Sequence, residues 1–273
     1  VSAPGKKLSL EFLGSGTSVG VPAIGCDCAV CQSTESRNKR LRSSALVRAY
    51  DDSGAVTTTV VIDTSPDFRQ QMLRSNVRHL DAVLFTHFHA DHVVGIDDVR
   101  RFNYIQNAVL DCWADGRTYD KLKRSFEYIF TEDAVPRWGL PCLRPRLIAA
   151  APFQIGELKF EPIELDHHTM PTLGFRISSR GSAVLAYCLD VKRIPETSMA
   201  QLKGTQTLII DMLREKIHPT HMNLDEAIAT SREIGATRTF LGHIAHEVDH
   251  PELEARLPES VRLAYDGLIV EIE

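Results

Sequence analysis

The chain has 273 residues, with 31 Lys and Arg against 36 Asp and Glu, 11 His and 6 Cys, and a formal charge of −5. That length suits one large domain or two small ones, and 43% hydrophobic with 25% charged residues is ordinary globular usage that argues against long disorder. No apolar run nears the roughly 18 residues of a membrane span, and a mildly acidic chain is a poor generic nucleic-acid binder, so partners held by bulk charge are excluded. The opening VSAPGKKLSLEF lacks the apolar stretch of a signal peptide, and a cytoplasmic location is the expectation.

Leu8–Leu13 reads as a strand, and Ala45–Tyr50 with Thr57–Asp63 as a hairpin across Asp51-Asp52-Ser53-Gly54. The run Gly14-Ser15-Gly16-Thr17-Ser18-Val19-Gly20 fits neither phosphate-loop pattern and has no following Lys, so it reads as a tight turn. Asp67–Ser75 is helical, with Phe68, Met72 and Leu73 on one face. Ala82–Thr86 is a short apolar strand, Gly116–Phe130 a helix and Val135–Pro145 a Pro-rich loop. In the second half, Leu158–Ile163, Leu173–Ser178, Ala183–Leu189, Thr207–Asp211 and Thr239–Gly242 read as strands. Pro195–Leu202 and Leu224–Ile234 read as helices, the latter opened by the capping-box pattern Asn223-Leu224-Asp225-Glu226. With no linker and no repeat, two runs of hairpins and strand–helix alternation predict one α+β (layered α/β) domain over 1–273.

The run His87-Phe88-His89-Ala90-Asp91-His92 directly follows the apolar strand. Residues two apart on an extended segment face the same way, so His87 and His89 can share one ion. A following turn carries Asp91 and His92 to a neighbouring position. Ionisable side chains beside a buried strand are costly without a ligand to satisfy them. Further ligands should be His or carboxylate residues at the carboxyl ends of other strands. His167-His168, Asp190 and His243 stand in such places.

This run resembles the His-X-His-X-Asp-His signature of the metallo-β-lactamase fold superfamily. The resemblance implies an αββα sandwich with a dinuclear metal site between its sheets. It implies that His87, His89 and His167 hold one ion and Asp91, His92 and His243 the other, with Asp190 bridging. His167 is preferred to His168 because Ile163-Glu164-Leu165-Asp166-His167 matches the family's strand-end histidine, while its neighbour would point to the other side of the chain. In many relatives the bridging Asp follows Ser or Thr, whereas here it follows Leu189.

Cys26-Asp27-Cys28-Ala29-Val30-Cys31 places three thiols too close for ordinary disulfides, which suits a reducing compartment and a structural Zn²⁺. The natural fourth ligand is His246, three residues after His243. Cys112, Cys142 and Cys188 read as packing residues. The thiol loop sharpens the resemblance to the branch that contains the phosphodiesterase of the phosphonate carbon–phosphorus lyase pathway. Its landmarks run nearly end to end: Leu13-Gly14-Ser15-Gly16-Thr17-Ser18, Gly20-Val21-Pro22, Ile62-Asp63-Thr64, Gly242-His243-Ile244-Ala245-His246 and Tyr265-Asp266-Gly267. That resemblance implies a metal-dependent hydrolase acting on small or cyclic phosphodiesters.

The expected cofactors are two divalent ions at the active site, Zn, Mn or Fe according to supply, and one structural Zn. The expected partner is a small phosphodiester or nucleotide-like substrate, with no membrane and with homodimerisation left open. Asp91 is expected to accept a proton from the attacking water, and His221 to protonate or stabilise the leaving oxygen. His218 and the surface pair Arg100 and Arg101 carry weaker expectations, and Trp138 reads as packing at a loop base rather than as a stacking lid. Three rivals stand beside this reading. A tRNA 3′-end endonuclease would call for a basic exosite, and Gly116–Arg146 has mixed charge instead. Thioester or lactam hydrolysis on the same metals remains open, because fold does not fix substrate. A non-enzymatic metal-binding protein is disfavoured by the full ligand set.

Overall fold

The computed structural model describes residues 7–130, 139–168, 170–182 and 184–273. Its strands, in chain order, are β1 (Leu8–Gly14), β2 (Ser44–Tyr50), β3 (Val56–Ile62), β4 (Ala82–Leu84), β5 (Leu110–Ala114), β6 (Leu143–Leu147) and β7 (Phe153–Ile155). They continue with β8 (Leu158–His167), β9 (Met170–Ser179), β10 (Leu185–Cys188), β11 (Thr207–Asp211), β12 (Arg238–Gly242), β13 (Val261–Leu263) and β14 (Ile269–Ile272). The α-helices are α1 (Ala29–Gln32), α2 (Phe68–Arg74), α3 (Ala90–Val93), α4 (Arg100–Gln106), α5 (Gly116–Ser125), α6 (Glu196–Leu202), α7 (Leu224–Ile234) and α8 (His250–Glu254).

Two seven-stranded sheets result, in the orders β14-β1-β2-β3-β4-β5-β6 and β13-β12-β11-β10-β9-β8-β7. β2 and β3 form the expected antiparallel hairpin with Val47 opposite Val60, while β3–β4–β5–β6 run parallel. In the second sheet β10 through β13 are parallel and β7–β8–β9 antiparallel. Inward side chains such as Leu10, Val60, Phe160, Phe175 and Ile209 form one apolar layer between the sheets. A second layer joins Leu13, Val83 and Phe85 to Phe68, Phe102 and Leu122 of α2, α4 and α5. A third joins Ile210 and Leu241 to Leu202, Ala227 and Leu253 of α6, α7 and α8. Helices therefore cover both outer faces, and the architecture is the expected αββα sandwich. Among the described residues no helix is long and apolar enough to cross a membrane.

Local chemistry explains several element ends. Asn223 and Glu226 close the capping box of α7 with two 2.9 Å bonds, and Gly235 ends the helix in the left-handed region at φ 82°. A Cβ on Gly14 would collide with the carbonyl oxygen of Arg42, so β1 can bend toward the site only there as glycine. The helix expected over Gly116–Phe130 stops at Ser125, and a 3₁₀ turn at Glu127–Ile129 brings Ile129 into the core. The loop expected over Val135–Pro145 gives way at Leu143 to β6, which gains its place by pairing with β5. Trp138 lies outside the described residues.

Candidate functional site

The carboxyl ends of strands from both sheets converge on one rim. Asp63 follows β3, His87 follows β4, His167 ends β8, Asp190 follows β10, Asp211 ends β11 and His243 follows β12. Parallel strands aligned across the sandwich deliver their exits to the same edge, which is why residues remote in sequence meet here. Asp63, Asp190 and His243 all turn through the left-handed region, at φ 63°, 53° and 60°. That backbone state is uncommon for residues other than glycine and clusters at functional sites.

The ligand-type atoms of His87, His92 and Asp190 lie within 4.8 Å of one another, as do those of His167, Asp190 and His221. Asp190 is common to both groups. His89 joins through its Nδ1, 2.9 Å from His87 Nε2, and its ring centroid lies 5.4 Å from that of His167. Asp91 and Asp190 place carboxylate oxygens 3.3 Å and 3.2 Å from His92 Nε2. His243 Nδ1 is 3.3 Å from Asp190 Oδ2, and its ring stacks on His221 at 4.7 Å. The structure thus brings His87, His89, Asp91, His92, His167, Asp190, His221 and His243 into one continuous set. Most of them line, with Ser18, a cavity of about 300 Å³. A larger groove of about 660 Å³ between α2 and α4 holds Arg100 and Arg101, away from the histidines.

Outer carboxylates and carbonyls fix the imidazoles. His92 Nδ1 donates to Asp63 at 2.7 Å, His221 Nδ1 to Asp211 at 2.7 Å, and His167 Nδ1 to the Thr220 carbonyl at 2.8 Å. In each case Nε2 is left for another partner, the tautomer that metal-binding histidines adopt. Asp63 is itself held by the backbone N–H and hydroxyl of Thr86, and Asp211 by the N–H of Val191. His243 is flanked by the hydroxyls of Thr17 and Ser43 at 3.2 Å and 3.1 Å.

The electrostatics follow from burial and crowding. Burial pushes the His87 and His89 imidazoles toward the neutral form. Burial also opposes charge on His92, but Asp190 and Asp63 outweigh it and hold its proton well above the ordinary histidine range. The Asp91 carboxyl is penalised by burial yet stabilised by His92, and settles at about 2. For His221, Asp211 likewise overcomes burial and raises its affinity for a proton.

His92 Nε2 and Asp190 Oδ2 are buried with no hydrogen-bond partner among the described residues, although they stand 3.2 Å apart. Buried polar atoms left in this state are costly, and a cation between them would satisfy both. Imidazole nitrogens with carboxylate oxygens suit Zn, Mn or Fe. The residues therefore fit the divalent ions that this fold implies.

The thiol loop forms a second ligand-type group. Cys26 Sγ and Cys28 Sγ each lie 3.4 Å from His246 Nδ1, and Cys31 Sγ completes the group within 4.8 Å. Tetrahedral zinc with ordinary Zn–S and Zn–N bonds separates its S and N ligands by roughly 3.5 Å, so the spacing fits. The His246 imidazole beside Cys28 lowers that thiol to about 6, while burial raises Cys31 to about 11. Arg40, almost wholly buried, donates to the carbonyls of Ala245 and Val248 and so fixes the loop that carries both His243 and His246. Cys112, Cys142 and Cys188 are buried in the sheets and their connections.

The sequence reading passed over Asp63 and Asp211 as site residues. Each is a carboxylate closing an apolar strand, the same signal that marked Asp190. His168, expected to face away, instead reaches the cavity rim because its own φ of 58° turns the chain back. His218 packs behind His221 at 5.3 Å, His79 pairs with Asp81 on the surface, and His250 is buried against Tyr265. Asp63→Asn removes the charge that orients His92 and should lower metal affinity by about 10–100-fold. Competition for the metal against a graded chelator checks this, and wild-type retention would show that Asp63 is only structural.

Residues 58–244 match the family described as the β-lactamase superfamily domain. The octanoyltransferase of Porphyromonas gingivalis is 38% identical over 94% of this chain and 50% of that protein, and the chain spans about half the length of the curated relatives it matches. A crystal structure of a diphosphatase from the PhnP family superposes with a TM-score of 0.86 and 38% identity, covering 97% of each chain. The fold is also that of zinc-bound PqqB from Methylobacterium extorquens, with a TM-score of 0.75 and 21% identity over 96% of this chain and 99% of that one. The histidine-lined rim thus sits in a known frame, and the chain belongs to the metallo-β-lactamase superfamily.

Proposed function

We propose that this protein is a hydrolase that cleaves small or cyclic phosphodiesters. The observation that carries the reading is Asp190, shared by two ligand-type groups beside the Asp211–His221 pair in one cavity. It is supported by the likeness, over nearly the whole of both chains, to a protein whose name places it among phosphate-bond hydrolases. In this reading His87, His89 and His167 serve one ion, Asp91, His92 and His243 the other, and Asp190 both. Cys26, Cys28, Cys31 and His246 hold a structural zinc, and their free thiols suit the reducing cytoplasm.

When bound, the two divalent ions supply positive charge for the phosphate and activate a water. The chain's own residues complete the reaction. Asp91 is ionised and takes the proton of the attacking water as its oxygen bonds to phosphorus. His221 keeps its Nδ1–H on Asp211 and gives the Nε2 proton to the oxygen that departs with the breaking P–O bond. His89, Asp91 and Ser18 line the cavity from the first sheet's side and confine the substrate.

A diphosphate bond is the second reading, favoured by the name of the 38% identical structural relative. The octanoyltransferase name belongs to a protein twice as long and does not place that activity in the matched half. The test is a panel of linear and cyclic phosphodiesters, diphosphate diesters, phosphomonoesters and thioesters, with zinc, manganese or iron added. Phosphodiesters should exceed monoesters and thioesters by roughly a hundredfold in kcat/KM. A thioester preference would sink the reading, and a diphosphate preference would replace it by the second.

A further inference from the structure

Beside the metal cavity, and sharing Met170 with it, lies a groove of about 370 Å³, within the size range of small-molecule sites. Its floor is apolar: Phe88 is half-buried, packed on one side against the core layer under α2 to α5, and Met170 and Pro171 begin β9. Lys121 of α5 overhangs this floor, with its Nζ 5.9 Å from the Phe88 ring centroid and 3.9 Å from the Met170 sulfur. Among the described residues no carboxylate pairs with Lys121. Asp115, at the edge, is already engaged by Arg117 at 3.0 Å and by the N–H of Thr118.

We propose that this groove is a subsite for a planar aromatic substituent of the substrate, its ring received against Phe88 and Met170 with the exposed Lys121 side chain moved onto its outer face. The proposal rests on the phosphodiester reading and names the class of ester that the same site prefers. Three features carry it. An ammonium with no carboxylate partner gains from a second π-system within its reach. A thioether at the ring edge is favourable for aromatic guests. Met170 lines both the metal cavity and this groove, so a substituent of a phosphate held at the histidines has a continuous path into it. The groove on the other side of the β8–β9 tip offers no such floor. There Lys192 is neutralised by Glu226 at 2.7 Å and Arg193 by Asp166 at 3.0 Å.

The experiment compares phenyl p-nitrophenyl phosphate with methyl p-nitrophenyl phosphate, which share a leaving group and differ only in the retained substituent. The metal-loaded protein should favour the phenyl ester by about tenfold in kcat/KM, the scale of one desolvated cation–π contact. Lys121→Ala and Phe88→Ala should each lower the phenyl-to-methyl ratio by roughly threefold or more, chiefly through KM. Phe88→Tyr, which keeps the ring, should restore it. Lys121 is exposed, so Lys121→Ala keeps the test valid if Phe88→Ala fails to fold. A wild-type ratio near one, or a ratio unmoved by Lys121→Ala, overturns the subsite. Should neither ester turn over, the phosphodiester reading fails by itself. The subsite is then judged by calorimetry of phenyl phosphate against methyl phosphate, with the same ratios required.

Discussion

Asp190→Ala is expected to lower turnover of a p-nitrophenyl phosphodiester by roughly a thousandfold or more, with the fold retained. The carboxylate is common to both buried His/Asp groups, so its loss removes a ligand-type oxygen from each of them. It is also the local counter-charge. Burial alone would raise its pKa, yet His243 and His92 outweigh burial and hold it well below the usual carboxylate range. Without it, five imidazoles line the cavity with less negative charge to draw in a cation. The fold should survive because Asp190 lies on the rim, beyond the hydrogen-bonded end of β10 at Cys188, and its side chain contributes nothing to the three apolar layers. Turnover, metal content by atomic spectroscopy and thermal melting should be measured on the same preparation. Near-wild-type activity with metal content confirmed would refute the assignment of Asp190, and His167→Ala is expected to behave likewise.

Cys28→Ser is expected to remove one zinc per chain and to lower thermal stability by on the order of 3 kcal/mol, or roughly 10 °C in Tm. This position separates the metal from the local helix. Cys28 is the N-cap of α1, and its sulfur accepts the backbone N–H of Cys31 at 3.4 Å. Serine caps a helix well, so the substitution keeps the cap while replacing one of the two sulfurs that lie 3.4 Å from His246. The remaining contacts of the loop are few, since Val21, Val30 and Cys31 form only a small satellite cluster. The loop therefore depends on its ligands more than on burial. Unchanged zinc stoichiometry in Cys28→Ser would remove the structural site from the account.

Much of this organisation was legible in the sequence. The His87–His92 run, the strand-end placement of His167, Asp190 and His243, and the thiol spacing all carry their chemistry in residue type and position. The major strands were legible because their apolar runs are long enough to show. The missed strands, β5, β6, β7, β13 and β14, are three to five residues long and exist by pairing with a neighbour, a tertiary cause invisible to local pattern. Asp63 and Asp211 were missed for a different reason. A carboxylate ending an apolar strand can cap, orient or ligate, and only the distances to His92 and His221 show that these two orient. The thiol loop and the histidine set meet through four residues, His243 to His246, whose path is set by the buried Arg40 guanidinium and by no local motif.

The left-handed turns at Asp63, Asp190 and His243 have a consequence for how selection acts on this chain. Each holds a side-chain-bearing residue where glycine would rest at lower energy, at about 1 kcal/mol or more apiece. Against a typical domain stability of about 5–15 kcal/mol, three such positions are a noticeable fraction. A sequence optimised for durability alone would relax all three to glycine and lose its chemistry at a stroke. Attempts to harden the protein toward heat should therefore leave these turns untouched and work in the helices outside the sheets, where stability can rise without competing with the reaction.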